Sequence, residues 1–140
     1  MYILSLYMAD QKMIQEKIGE ALGLEMAAQK AVEELDSRGL LESEHMKKLA
    51  KMREEASDQE EGMQQLVQEL ADSDGLDPST IEEKAEETAE KASKIMETYL
   101  GEDPDTQEAL EFLCLAEGGE VTHYEVLASI AMYAKIKTLT

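Results

Sequence analysis

Clusters of Gly, Pro, Asp and Ser break this chain in three places, at "DSRGL" (36–40), "DSDGLDP" (72–78) and "GEDPD" (101–105), and both of its prolines lie inside them. Pro supplies no backbone N–H, while Gly and Asp favour turn conformations, so such clusters end helices. Four segments remain, at about 8–35, 41–70, 79–100 and 106–140. Each repeats its apolar residues at spacings of three and four, as a helix packed on one side requires. The first stripe is Ile14, Ile18, Ala21, Ala28, Val32 and Leu35, and the second is Leu49, Met52, Ala56, Met63, Leu66 and Leu70. The third is Ile81, Ala85, Ala92, Ile95 and Tyr99, and the fourth is Leu113, Leu127, Ala131 and Ala134. Asp77-Pro78-Ser79 and Asp105 with Glu108 are helix-start signals. Four amphipathic helices on short turns predict an all-α four-helix bundle, forming one domain over 1–140.

Composition agrees with this reading and narrows the function. Hydrophobic residues make up 43% of the 140, enough for one core, and aromatics only 4% with no Trp. Thirteen basic residues against 32 acidic ones give a formal charge of −19, which repels nucleic acid and anionic membranes. The opening "MYILSLYM" is too short for a membrane span and lacks the basic start and cleavage site of a signal peptide. The single cysteine, Cys114, allows no intrachain disulfide and reads as a packed thiol. A cytoplasmic protein is the expectation. Nucleophile elbow, phosphate loop and calcium loop are all missing, since "DSDGLDPSTIEE" departs from EF-hand spacing.

The informative residues are polar ones on the apolar stripes. Glu25 falls between Ala21 and Ala28 at the centre of the first stripe, where an unpaired carboxylate would cost several kcal/mol, so a partner is expected. In the second helix His45 and Gln59 lie on the stripe, with Glu55 and Glu60 at its margins. In the fourth, Glu117, Glu120 and Tyr124 face inward, His123 lies at the edge and Glu125 points away. Glu120 and His123 are three apart and stand on neighbouring turns. In helical bundles Glu-x-x-His, joined by a Glu from another helix, holds pairs of iron or manganese ions. Glu42 and His45 repeat the spacing at the start of a helix, where a mid-bundle site is not expected. The competing reading is a set of core acids kept neutral or paired with amides.

"TQEALEFLCLAEGGEVTHYEVLASI" resembles the last core helix of ferritin-like proteins, and "HYEVLA" resembles the histidine-tyrosine-glutamate signature of the YciE/YciF-type family among them. "LGLEMAAQKAVEELDSRGLL" with "KKLAKMREEASDQEEGMQQLVQEL" is similar to that family's first two helices. The resemblance implies an iron or manganese pair used in peroxide or iron oxidation chemistry, with ligands Glu25, Glu120 and His123. Glu117 joins them as an inward acid, and Glu55 stands where the family's second helix carries Glu-x-x-His, although here the fourth residue is Asp58. On the third helix Glu86, Glu87 and Glu90 point outward, which leaves a degenerate or single-metal site as an alternative. Homo-oligomers, a dimer first, are implied as well. The other expectation is a metal-free helical module that self-associates or binds a protein partner.

Topology enters these expectations through register. Helices alternating up and down would put Glu25 level with about residue 52, and residues 117–120 level with about 64–67, a gap of ~20 Å. A crossover between the second and third helices, making the fourth parallel to the first, is therefore expected.

Overall fold

The computed structural model describes the backbone of residues 2–139 and the side chains of residues 11–73 and 75–129. Four helices follow one another, α1 (Tyr2–Ser37), α2 (Ser43–Asp74), α3 (Pro78–Leu100) and α4 (Thr106–Leu139), with no strand among the described residues. The all-α four-helix bundle read from the periodicity is the fold. All three breaks are turns that carry a glycine at positive φ: Gly39, Gly75 and Gly101. Gly75, at φ 71°, turns its N–H onto the Leu70 carbonyl and closes α2 in a left-handed conformation that a side chain would strain. Asp77 then caps α3, accepting from the Ser79 N–H at 3.1 Å and from the Thr80 hydroxyl at 2.9 Å, with Pro78 in the first turn. Asp105 does the same for α4 through the Glu108 N–H at 2.8 Å.

The crossover is not how the chain runs. α2 and α3 are joined by residues 75–77 alone, which span at most ~11 Å against ~48 Å for the length of α2. The core partners give the order of the helices. One apolar cluster holds Ile18 and Leu22 of α1, Met63 and Val67 of α2, and Ile81 and Ala85 of α3. The other holds Val32 and Leu35 of α1, Leu49 of α2, Met96 and Leu100 of α3, and Ala109 and Phe112 of α4. The helices therefore alternate up and down, with α1 parallel to α3 and antiparallel to α4.

The register estimate failed for a local reason. The end of α1 and the start of α4 meet in the same cluster, so their register is set where they touch and not by counting through α2 and α3. Glu25 is twelve residues before Ser37 and Glu120 is fourteen after Thr106, which places the two at nearly one level.

α1 packs against all three other helices, whereas α3 meets α2 and α4 only sparingly, and the backbones of α2 and α4 stay apart among the described residues. The closest seam is between α1 and α3. A Cβ at Gly19 would lie 2.6 Å from Lys84 Cβ, and one at Gly23 would lie 2.4 Å from the Ala85 carbonyl oxygen. Only hydrogen fits there, so these two glycines let the helix backbones come together.

Several stripe positions need correction. On α3 the buried residues are Ile81, Ala85, Met96 and Leu100, whereas Ile95 and Tyr99 are exposed. Ile81 with Ala85 and Met96 with Leu100 are pairs four apart, with eleven residues from Ala85 to Met96, so the buried line turns slightly on the helix relative to the expected stripe. Val67 replaces Leu66 in the core of α2 for the same reason. Cys114 is exposed beside the buried Phe112 and Leu113, so it is not a packed thiol. Ala131 and Ala134 of the fourth stripe, and the opening "MYILSLYM", lie outside the residues whose side chains are described. No helix among the described residues is long and apolar enough to cross a membrane.

Candidate functional site

Glu25 lies on α1 between the two apolar clusters and is wholly buried, the only charged side chain in the described core. Its donors come from two other helices. The Tyr124 hydroxyl of α4 donates to Glu25 Oε1 at 2.6 Å. The Gln59 amide of α2, with its nitrogen facing the acid, donates at 2.7 Å to Oε1 and 3.2 Å to Oε2. Gln29, one turn along α1, donates to the Glu25 carbonyl at 3.3 Å and to Glu60 at 2.6 Å. The partner demanded by a buried acid is thus a set of neutral donors, with no basic side chain among them.

The fourth neighbour of Glu25 is another carboxyl group. Glu120, one turn before Tyr124, lies against Glu25. Burial pushes its pKa up to about 9, helped by the hydrogen bond to Glu25 and by the negative charges of Glu25 and Glu117. Two carboxylates cannot both stay ionised in contact, so at neutral pH Glu120 keeps its proton and donates it to Glu25. Burial, with the Glu25 hydrogen bond, raises the Tyr124 phenol as well and keeps it protonated. Glu120 Oε1 is buried and accepts from no N–H or hydroxyl among the described residues.

Beside this pair opens a cleft of about 330 Å³ bordered by all four helices. Its walls are mainly small or flexible apolar groups, among them Ala28, Ala31, Met52, Ala92, Met96 and Ala116. Alanines facing one another leave this space because they are too short to fill it. An apolar pocket with a few convergent polar groups, one strongly shifted, is the common form of a small-molecule site.

Glu25, Glu55, Glu117, Glu120 and His123 all border the cleft, but only Glu25 and Glu120 meet. Glu117 is exposed, contrary to its inward placement on the helical wheel. Glu55 is exposed beside Lys51 at 3.9 Å. His123 points to Glu20, with Nε2 3.4 Å from its Oε2, while Nδ1 faces the Gly119 carbonyl at 3.1 Å. Both ring nitrogens are engaged away from the pair. His45 Nδ1 is buried and unpartnered on the first turn of α2.

Iron or manganese in a carboxylate-bridged pair needs Glu ligands from several helices and two histidines. Among the described residues no three of His, Cys, Asp and Glu converge on one point. The described residues around Glu25 and Glu120 do not supply such a ligand set. Gln59 and Tyr124 were visible as stripe residues in the sequence; Gly19 and Gly23, which set the depth of α3 against α1, carried only the signal of two glycines one turn apart. Comparison with protein-family models, with curated proteins and with solved structures finds no match to this chain.

Proposed function

We propose that this protein is a non-catalytic helical binding module that holds a small, largely apolar molecule in the cleft between its four helices. The observation that carries the reading is the wholly buried Glu25 with the half-buried Glu120 beside it, without a basic partner among the described residues, at the edge of an alanine-lined cavity of about 330 Å³. A core built only for stability would fill this space and dispense with the acids, because apolar side chains of similar volume usually stabilise at least as well. Acids and empty space kept together suit reversible binding. Calorimetric titration with small phenylalkyl compounds, neutral and charged, is expected to show one saturable site per chain. Ala116→Leu, which narrows the cleft, is expected to weaken binding at least about tenfold. Absence of saturable binding across the series would sink the proposal.

A second reading, self-association, draws on exposed apolar groups, three of which, Ile95, Leu115 and Val121, also border the cleft. Ile95 and Tyr99 of α3 and Leu115 and Val121 of α4 are exposed. Such a patch of apolar groups suits a homodimer. Sedimentation equilibrium returning the single-chain mass of 15.6 kDa at all concentrations would remove this reading.

A further inference from the structure

Among the described residues the three most exposed large apolar side chains, Ile95 of α3 at 59% and Leu115 and Val121 of α4 at 58% and 54%, all border the cleft. Apolar groups gathered at one opening, and not scattered singly, mark a place where another molecule docks. A compound held within about 330 Å³ leaves these side chains in water. An occupant that covers them as well is larger. The surface of α3 and α4 suits an elongated one. The two helices are antiparallel and meet only sparingly, with Ile95 and Leu115 exposed at the border of the cleft and the buried Met96 and Phe112 lining it. Tyr99, one turn after Ile95, is exposed too and lies against Phe112 with ring centroids 5.8 Å apart. Gly119 borders the same opening, and a Cβ there would meet nothing within 4 Å, so another backbone can come close at this edge.

Shape and charge together select the partner. Apolar groups along two neighbouring helices match the apolar stripe of a third helix, whose anchors recur at spacings of three and four residues, and methionines such as Met52 and Met96 adapt to such anchors. From Thr106 to Ser129, α4 carries five glutamates and no Lys or Arg. Lys84, Lys91 and Lys94 of α3 already pair with Glu87 and Glu90, and Arg53, which borders the cleft from α2, pairs with Glu33. The surroundings of the apolar border are left acidic. A second copy would bring the same acids against them, whereas a basic helix complements them.

We infer that α3 and α4 dock a basic amphipathic helix of a partner protein, one of whose apolar side chains enters the cleft while others cover Ile95, Tyr99 and Leu115. The inference goes beyond the small-molecule reading, because it assigns the exposed surface outside the cavity and needs no free ligand.

Three synthetic peptides of about 18 residues, ~27 Å long as helices, test it by calorimetric titration into the full chain at neutral pH and physiological salt. The first carries leucines along one helical face and lysines elsewhere, the second has the same composition with its leucines spread around the helix, and the third is the first with every Lys replaced by Glu. The first is expected to saturate at one per chain and to bind at least about tenfold more tightly than the second, and the third not to bind. The Ile95→Ser/Leu115→Ser double variant changes two exposed positions and keeps the chain's charge, so it leaves nonspecific attraction of polycations in place. It is expected to weaken the first peptide at least about tenfold. Equal binding of the first two peptides, or undiminished binding to the double variant, would reduce the effect to general attraction and overturn the assignment. Binding of the acidic peptide as tightly as the first would overturn it as well. A dimer of the native chain that the double variant dissolves, with no binding of the first peptide, would make a second copy the occupant instead. If the first peptide fails while the phenylalkyl compounds bind, the docking inference falls and the small-molecule reading stands; if the peptide binds as expected and those compounds do not, the small-molecule reading falls alone. Should the double variant not fold, the ranking of the three peptides on the native chain decides.

Discussion

Two glycine pairs on two helices of this bundle have opposite surroundings. Gly19 and Gly23 of α1 face α3 so closely that a methyl group at either would meet α3 atoms within 2.6 Å, whereas Gly118 and Gly119 of α4 have nothing within 4 Å of where a Cβ would stand. The first pair closes a seam. The second lies on an open face, one residue before the acid that borders the cleft. Glycine weakens a helix by the same mechanism in both places, by raising the entropy lost on folding. Only at the seam does close packing compensate, so the same residue type is structural in one helix and locally destabilising in the other.

The largest expected effect breaks the seam. Gly23→Ala places a methyl against the Ala85 backbone, which cannot swing aside, and is expected to cost about 3 kcal/mol. Urea unfolding with an unchanged m-value would measure it, and a loss within error of zero would show that α3 can slide away. On the cleft side, Tyr124→Phe removes a hydrogen bond to a buried carboxylate and is expected to cost about 2 kcal/mol. A cost near zero there would mean that Gln59 and Glu120 satisfy Glu25 without it.

A graded effect follows from Glu120. Its folded pKa of about 9 lies above the ordinary 4.5, so folding takes up a proton throughout that interval. This contribution is complete below about pH 4.5 and is lost as pH rises towards 9. Thermal midpoints are expected to fall across that window, with Glu120→Gln flattening the slope. An equal slope in the variant would assign the dependence to other groups. The smallest effect sharpens the comparison from the open side: Gly118→Ala, with free space around it, is expected to stabilise by about 0.5–1 kcal/mol. A loss of stability would reveal a need for glycine in α4 that its surroundings do not show.

Much of the architecture was legible because it depends on short-range chemistry. Turn glycines, the Asp77 and Asp105 caps and the periodic stripes act within a few residues, so four helices and their limits to within a few residues could be read off directly, apart from the early start of α1 at Tyr2. Glu25, Glu120 and Tyr124 could be picked out because acids and a phenol on apolar stripes conflict with the local pattern. The wheel misplaced Glu117, Ile95, Tyr99 and Leu66, since a stripe drawn at fixed spacing ignores how each helix rotates to meet its neighbours.

By itself the sequence determined the fold class, the number of helices and the presence of an acid that could not stay alone. Only the tertiary structure decided that α4 runs antiparallel to α1, that Glu25 and Glu120 share a level, and that His123 turns to Glu20 and away from the pair. The physical reason is distance along the chain. Caps and periodicity are local interactions, but Glu25 and Tyr124 are 99 residues apart, and their meeting depends on how closely α1 seats on α3 at two glycines and where α4 begins against the end of α1.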